Sequence, residues 1–454
     1  MKTNKFGLVL FILVCVTLVL GGVASCGERL PMNQFGNRWV QTHEFQIGSY
    51  CYYFILEPKP DIQSELGRLR SLSINCIDWA TPAESALAKT VGLGAHRVLW
   101  VSEPFVTGGT ISPELLARIK TFSTPDLSAA WYVDDEPKEN DFHAIAVVSD
   151  YLKTNTPDDL IYSNISFEDA NPTFLNTYLN AVKPDILKAD TYPFFKPGKP
   201  AWYPENPDWF KIAMNIRNCA LANDIPYFTW LEAFGSQPTA PHFFRFPSES
   251  EMRTEAYTAL TLGFKGISWF GYDAADPSTC NFLVEWSTRE PEKTYYWVKS
   301  IDREVKNLGV YLRFLKSTDV RFVPNKGNPT PAGLTNWSES AGGDKYIESI
   351  ELSKPAHTRQ DALLGFFTDE QARQYFMLQN LYRGEHLSAS AATSTITVKF
   401  KGTSLPVRGT IYRLDRKTCK SVAVPLVNGN ELRDRLPGGT ADLYSYTPFA
   451  LGIL

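Results

Sequence analysis

Histidine is scarce in this chain of 454 residues: there are 6, with no HxH pair in the first strand-like run, so hydrolytic centres built on clustered imidazoles are disfavoured. Cysteine is also sparse. After Cys26 only Cys51, Cys76, Cys219, Cys280 and Cys419 remain, without the CxxC or Cys/His spacing of a zinc module. Cys51 and Cys76 fall on adjacent strand-like runs, where buried free thiols are expected. No run of Lys or Arg occurs and the formal net charge is −4, so a nucleic-acid partner has no electrostatic footprint. No Gly-rich turn follows the first strand-like run, which removes the usual dinucleotide cradle. No Ser or Cys sits in a GxSxG-like elbow with a His to activate it.

What is present begins with a targeting segment. Lys2 and Lys5 precede an apolar run over 6–20, then Gly-Gly and Val23-Ala24-Ser25-Cys26. That is a charged start, an apolar middle too short to span a bilayer, and a small-residue cleavage site. Val-Ala-Ser-Cys resembles a bacterial lipobox, which implies acylation of Cys26; an ordinary signal peptide cut nearby is the alternative. Either way the protein is expected to be exported. It is then an outer-membrane or cell-surface lipoprotein held by its lipid anchor, or else periplasmic or secreted.

From residue 45 an alternation sets in. Strand-like runs cover 45–54, 73–80, 96–102, 129–133, 160–166, 185–192, 227–232 and 266–272. Helical patterns lie between them, at 60–72, 82–91, 112–122, 142–154, 172–182, 208–223 and 250–262, and a long amphipathic stretch at 294–315 follows. The strands read as near-continuous apolar runs, as expected where both sheet faces are covered. Eight βα units in series predict a closed (β/α)8 TIM barrel; a doubly wound open sheet is the alternative. Beyond residue 317 the texture changes to short β runs at 347–352, 362–367, 375–381, 394–401, 409–414, 421–427 and 441–446, which predict an antiparallel β-sandwich. The expected organisation is a leader at 1–26, a polar lead-in at 27–44, the barrel at 45–316 and an all-β sandwich domain at 317–454.

The strand ends that would form the cup of such a barrel are rich in acids and aromatics. In order they carry Tyr52 and Tyr53; Asp78 and Trp79; Trp100, Ser102 and Glu103; Asp134, Asp135 and Glu136; Asn164; Asp190 and Tyr192; Trp230 and Glu232; Trp269, Tyr272 and Asp273. The stretch 128–137 stands out, because three adjacent acids close an apolar strand where packing does not favour them. Strand alternation places Asp134 and Glu136 on one side and Asp135 on the other. Lys188, inside the sixth run, is expected as a helix-facing stem.

Two carboxylates facing each other across a cup suit cleavage of a glycosidic bond: one protonates the leaving oxygen, the other attacks the anomeric carbon. Glu136 and Glu232 are the candidates, with Glu103 and Asp190 as rivals. An acid after the fourth strand and another ending the seventh resembles the large clan of retaining (β/α)8 glycoside hydrolases often called clan A. The resemblance covers roughly 45–315. It implies Glu136 as general acid/base, Glu232 as nucleophile, Tyr192 as a donor to that nucleophile and Trp269 at the cup floor. Asp135 stands where clan members usually carry Asn. Asp78, Trp79, Trp100, Asp135, Asn164, Tyr192, Trp230 and Trp269 are the expected substrate contacts. Trp79, Trp100, Trp202 and Trp230 are candidate sugar platforms. No metal or cofactor is expected, and the only partner expected is the carbohydrate. A non-catalytic glycan-binding barrel is the rival reading, and the two separate on Glu232, the second acid that a binder does not need; a structural surface lipoprotein would fill the cup with its own side chains.

Overall fold

The computed structural model describes residues 32–51, 61–122, 130–195, 206–236, 244–273, 280–285, 287–324, 328–340, 344–353, 361–401 and 404–450. The leader with Cys26, Tyr52, Tyr53, Trp202 and the side chain of Glu103 fall outside what it describes.

Eight strands close a parallel barrel: β1 (Gln46–Tyr50), β2 (Cys76–Ala80), β3 (Gly94–Val98), β4 (Ala130–Asp135), β5 (Leu160–Ile165), β6 (Leu187–Asp190), β7 (Tyr227–Glu232) and β8 (Gly266–Phe270). Each pairs with its sequence neighbours, and β1 pairs with β8. The architecture is the TIM barrel expected from the alternation. Helices α2 (Ile62–Ser71), α3 (Pro82–Thr90), α4 (Pro113–Thr121), α5 (Phe142–Asn155), α6 (Pro172–Val182), α7 (Trp209–Ala222), α8 (Glu249–Leu262) and α9 (Lys293–Leu312) surround it. Their starts are written locally. Thr81 and Glu84 form a reciprocal capping box with Pro82 in the first turn, and Ser248 and Glu251 do the same for α8.

The lead-in is not irregular. Residues Met32–Thr42 form a helix, α1, ahead of β1. Its Trp39 and Val40 pack with Ala130, Leu160 and Ile186 at the starts of their strands, so α1 plugs the bottom of the barrel. Gly36 permits the approach: a Cβ there would lie 2.0 Å from the Asp185 carbonyl oxygen.

After α9 come, among the described residues, nine strands in two antiparallel sheets. Strands β9 (Lys316–Val323), β11 (Ala362–Thr368), β12 (Gln374–Asn380), β17 (Ala441–Ser445), β14 (Thr410–Asp415) and β15 (Lys420–Pro425) form one sheet in that order. Strands β10 (Ile347–Ser353), β13 (Ser394–Phe400) and β16 (Glu431–Leu436) form the other. Between them lies a separate apolar core that includes Phe376, Val398, Leu432 and Tyr444. The larger sheet rests on α8: Thr258 donates to Gln379 at 3.0 Å, and Gln379 donates back to the Thr254 carbonyl at 2.9 Å. That contact accounts for the burial of α8 on every side.

Candidate active site

The acids of the cup are placed by a β-bulge. Tyr132 of β4 pairs with Tyr162, but the next register partner of Asn164 is Asp135, so β4 holds one extra residue. The bulge overturns the simple alternation. Tyr132 and Asp135 now share the inward face, while Asp134 turns to the helix layer near Asp141 and Tyr178. Glu136 follows at the exposed rim, with a left-handed backbone (φ 50°) and its amide bonded to the Asn164 carbonyl at 2.9 Å. Trp79 (φ 62°) and Trp100 (φ 54°) take the same uncommon conformation at the ends of β2 and β3. Left-handed backbone in large non-glycine residues costs on the order of 1–3 kcal/mol each and persists where the surroundings impose it, most often at functional sites.

Asp135, Asn164 and Asp190 form one hydrogen-bonded row. Asn164 Nδ2 donates to Asp135 Oδ1 at 3.2 Å and to Asp190 Oδ1 at 3.0 Å, and the Tyr132 hydroxyl donates to Asp135 Oδ1 at 2.5 Å. Burial pushes the Asp135 carboxyl up to about 6, against the pull of Tyr132 and Asn164. Burial, then the Asp135 charge, pushes Asp190 well above the usual carboxylate range. Asp190 thus stands with Asp135 of β4 in one hydrogen-bonded unit.

Glu232 is fully buried at the end of β7. Its Oε2 accepts the Phe194 amide at 3.0 Å, and its own amide donates to Glu255 of α8 at 2.8 Å. The donor expected from Tyr192 is therefore the Phe194 backbone. Tyr192 instead packs edge-on against Phe234 and Phe244, because its ring sits inside an aromatic cluster. Glu232 Oε1 has no hydrogen-bond partner among the described residues. Burial pushes both Glu232 and Glu255 upward, with Arg245 acting against it on Glu232. Arg245 is itself held by Glu251, at 2.9 and 2.6 Å.

The candidate aromatic contacts divide. Trp100 is 43 % exposed and stands edge-on to Trp79 (centroids 4.6 Å apart), which in turn meets Tyr50 and Tyr132. Trp230 lies inside the barrel, buried, and is core rather than a platform. Trp269 is not at the cup floor. It shares the outward face of β8 with Ile267, and its Nε1 donates to Asp302 of α9 at 2.8 Å.

Asp78 also lies deeper than a substrate contact should. Its Oδ1 receives His96 Nδ1 at 2.7 Å, Tyr162 at 3.1 Å and Lys188 Nζ at 3.0 Å. Lys188 therefore points into the barrel, not to the helices, and reaches Ser268 at 2.9 Å and the face of Trp230 at 4.0 Å. An inward partner of opposite charge explains the reversal. Burial alone would raise the Asp78 carboxyl, but Lys188 and His96 hold it well below the usual range. Cys76, Asp78 and His96 bring donor atoms within 4.8 Å of one another, with the Lys188 ammonium beside them at 3.0 Å from Asp78 Oδ1. Lys188 and His96 are interior groups that the sequence pattern does not reveal; the cup acids stand above them.

No family model matches the chain, and no curated protein does. Among solved structures, it is similar to an exo-β-1,4-mannosidase from Opitutaceae bacterium strain TAV5, at 15% identity and TM-score 0.42, over 59% of this chain and 60% of that one. The chain thus spans less than two thirds of that enzyme's length. It is also similar to a GH51 arabinofuranosidase from Xanthomonas axonopodis pv. citri, at 10% identity and TM-score 0.45, over 92% of this chain and 97% of that one. A third similar structure is a cycloisomaltooligosaccharide glucanotransferase from Paenibacillus sp., at 8% identity and TM-score 0.48, over 89% of this chain and 85% of that one.

Proposed function

We propose that the chain hydrolyses O-glycosidic bonds of a poly- or oligosaccharide by a retaining double displacement. Glu136 gives its proton to the leaving oxygen as the Glu232 carboxylate bonds to the anomeric carbon. Water, losing a proton to Glu136, then releases the sugar from Glu232. The observation that supports this best is the placement of Glu136. It stands exposed on a left-handed backbone, one residue past a bulge, above the Asp135–Asn164–Asp190 row and on the rim that also carries Trp100. The buried Glu232 oxygen that has no partner among the described residues supports its role, since an orphaned carboxylate oxygen is costly unless a ligand completes it. Export, with Cys26 as the lipidated residue, is part of the same proposal: a surface tether would hold the cup where glycans arrive.

The test is a panel of aryl glycosides. Glu136→Gln should lower kcat by roughly 10²–10⁴ with poor leaving groups, and added azide should restore turnover of activated substrates. Glu232→Gln should abolish turnover and leave glycan binding. Activity retained in either variant would overturn that residue's role. The complete burial of Glu232, which favours its protonated form over the attacking carboxylate, favours the second reading, a non-catalytic glycan-binding barrel; glycan binding without turnover on any substrate in the panel would establish it.

A further inference from the structure

Barrel interiors are usually filled by branched apolar side chains. This one holds a buried polar layer drawn from six strands: Gln46, Asp78, His96, Tyr162, Lys188 and Ser268. Lys188 is its one ammonium, fully buried. A buried ion pair is weak evidence for stability, because desolvating both charges offsets most of their attraction. The layer's position suggests a different use. Asp135, Asn164 and Lys188 stand side by side in register across β4, β5 and β6, and Asp190 is two residues beyond Lys188 on the same face.

We infer that Lys188 is a positioning residue for the reaction in the cup: its ammonium is the counter-charge that lets Asp135 and Asp190 accept hydrogen bonds from hydroxyls of the bound sugar. This rests on the hydrolase reading. Asp135 faces Tyr132, Asp134, Glu136, Tyr162, Asn164, Lys188, Asp190 and Tyr192; Asp190 faces Asp135, Glu136, Asn164, Lys188 and Tyr192. Lys188 in turn faces Asp78, His96, Cys76, Tyr162, Ser268 and the ring of Trp230. Lys188 acts on both carboxyls against the effect of burial. The amide of Asn164 ties the two acids into a single unit, so a charge beneath one is felt by both.

The experiment titrates the full chain labelled with ¹³Cγ-aspartate from about pH 4 to about pH 9, with Asp135→Asn and Asp190→Asn assigning the two resonances. Lys188→Met leaves Asp78 without its ammonium, so Lys188→Met/Asp78→Asn is measured beside it as a floor of unchanged net charge. The Asp135 midpoint should rise by about one pH unit in Lys188→Met and by a smaller amount in the double variant, and Lys188→Arg should keep it near the parental value. The acid limb of kcat/KM on an aryl glycoside should move the same way. Midpoints unchanged in the folded double variant would overturn the role of Lys188. A parent protein that turns over no glycoside would overturn the hydrolase reading instead, so the two failures are distinct.

Discussion

Asp135 and Asp190 are joined through a single nitrogen: Asn164 Nδ2 lies 3.2 Å from one carboxylate and 3.0 Å from the other. Two carboxyls on one donor repel each other when both are ionised, so the shared amide fixes where each can point. Replacing Asn164 by Ala removes the donor and frees both acids to turn. The expected result is a loss of roughly 10–100-fold in kcat/KM on whichever aryl glycoside the parent cleaves. A variant that keeps the parental value would take the row out of the reaction.

Asp134 gives a prediction that needs no substrate. The bulge turns it into the helix layer, where burial raises its carboxyl to about 7, opposed by the Asp135 amide and reinforced by the charges of Asp141 and Asp135. The folded state then holds a proton that the unfolded chain has released, so stability falls as pH rises from about 4 to about 7 and levels off above that. Asp134→Asn removes the decline. Its melting temperature should exceed the parent's at pH 8, by the equivalent of about 1–3 kcal/mol, and match it near pH 4. A gain of equal size at both pH values would show that packing, not ionisation, is responsible.

Trp100 tests the rim. With 43 % of its surface exposed and the rest packed in part on Trp79, its removal should cost the fold a moderate amount, about 1–3 kcal/mol. As a stacking face for sugar it should matter more: Trp100→Ala is expected to raise KM for an oligosaccharide several-fold while kcat changes less. Isothermal titration of the Glu136→Gln background with and without Trp100 separates binding from turnover. Equal affinities would leave Trp100 as an ordinary surface ring.

The barrel is legible in the sequence because parallel strands buried on both faces have little choice of composition, and eight such runs alternate with capped helices. The bulge in β4 is not, since one added residue leaves no mark in composition and yet reverses which of Asp134 and Asp135 faces inward. Lys188 misleads because a lysine in an apolar run looks like a stem leading outward. Its partner Asp78 lies far away in sequence and meets it only when the barrel closes. Helix α1 escapes notice because its apolar contribution is a short stripe around Trp39 and Val40 within polar sequence. Trp269 is different: Gly266, Ser268 and Phe270 alternate with Ile267 and Trp269, and that period of two already puts the tryptophan with its outward neighbour.

The outward position of Trp269 predicts a stability effect without a catalytic one. Its Nε1 is the donor to Asp302 Oδ1, and the other oxygen of that buried carboxyl has no partner among the described residues. Burial raises the Asp302 carboxyl well above the usual range, with Trp269 pulling the other way. Trp269→Phe removes the donor and some packing volume, which should cost about 2–4 kcal/mol in urea unfolding. Changing both partners to apolar groups, Trp269→Phe with Asp302→Leu, removes the orphaned carboxyl as well and should recover a substantial part of that loss. Because the ring faces α9, kcat/KM of the folded single variant should stay within about twofold of the parent. A selective loss of activity at full stability would return the ring to the cup and exchange the inward and outward faces of β8.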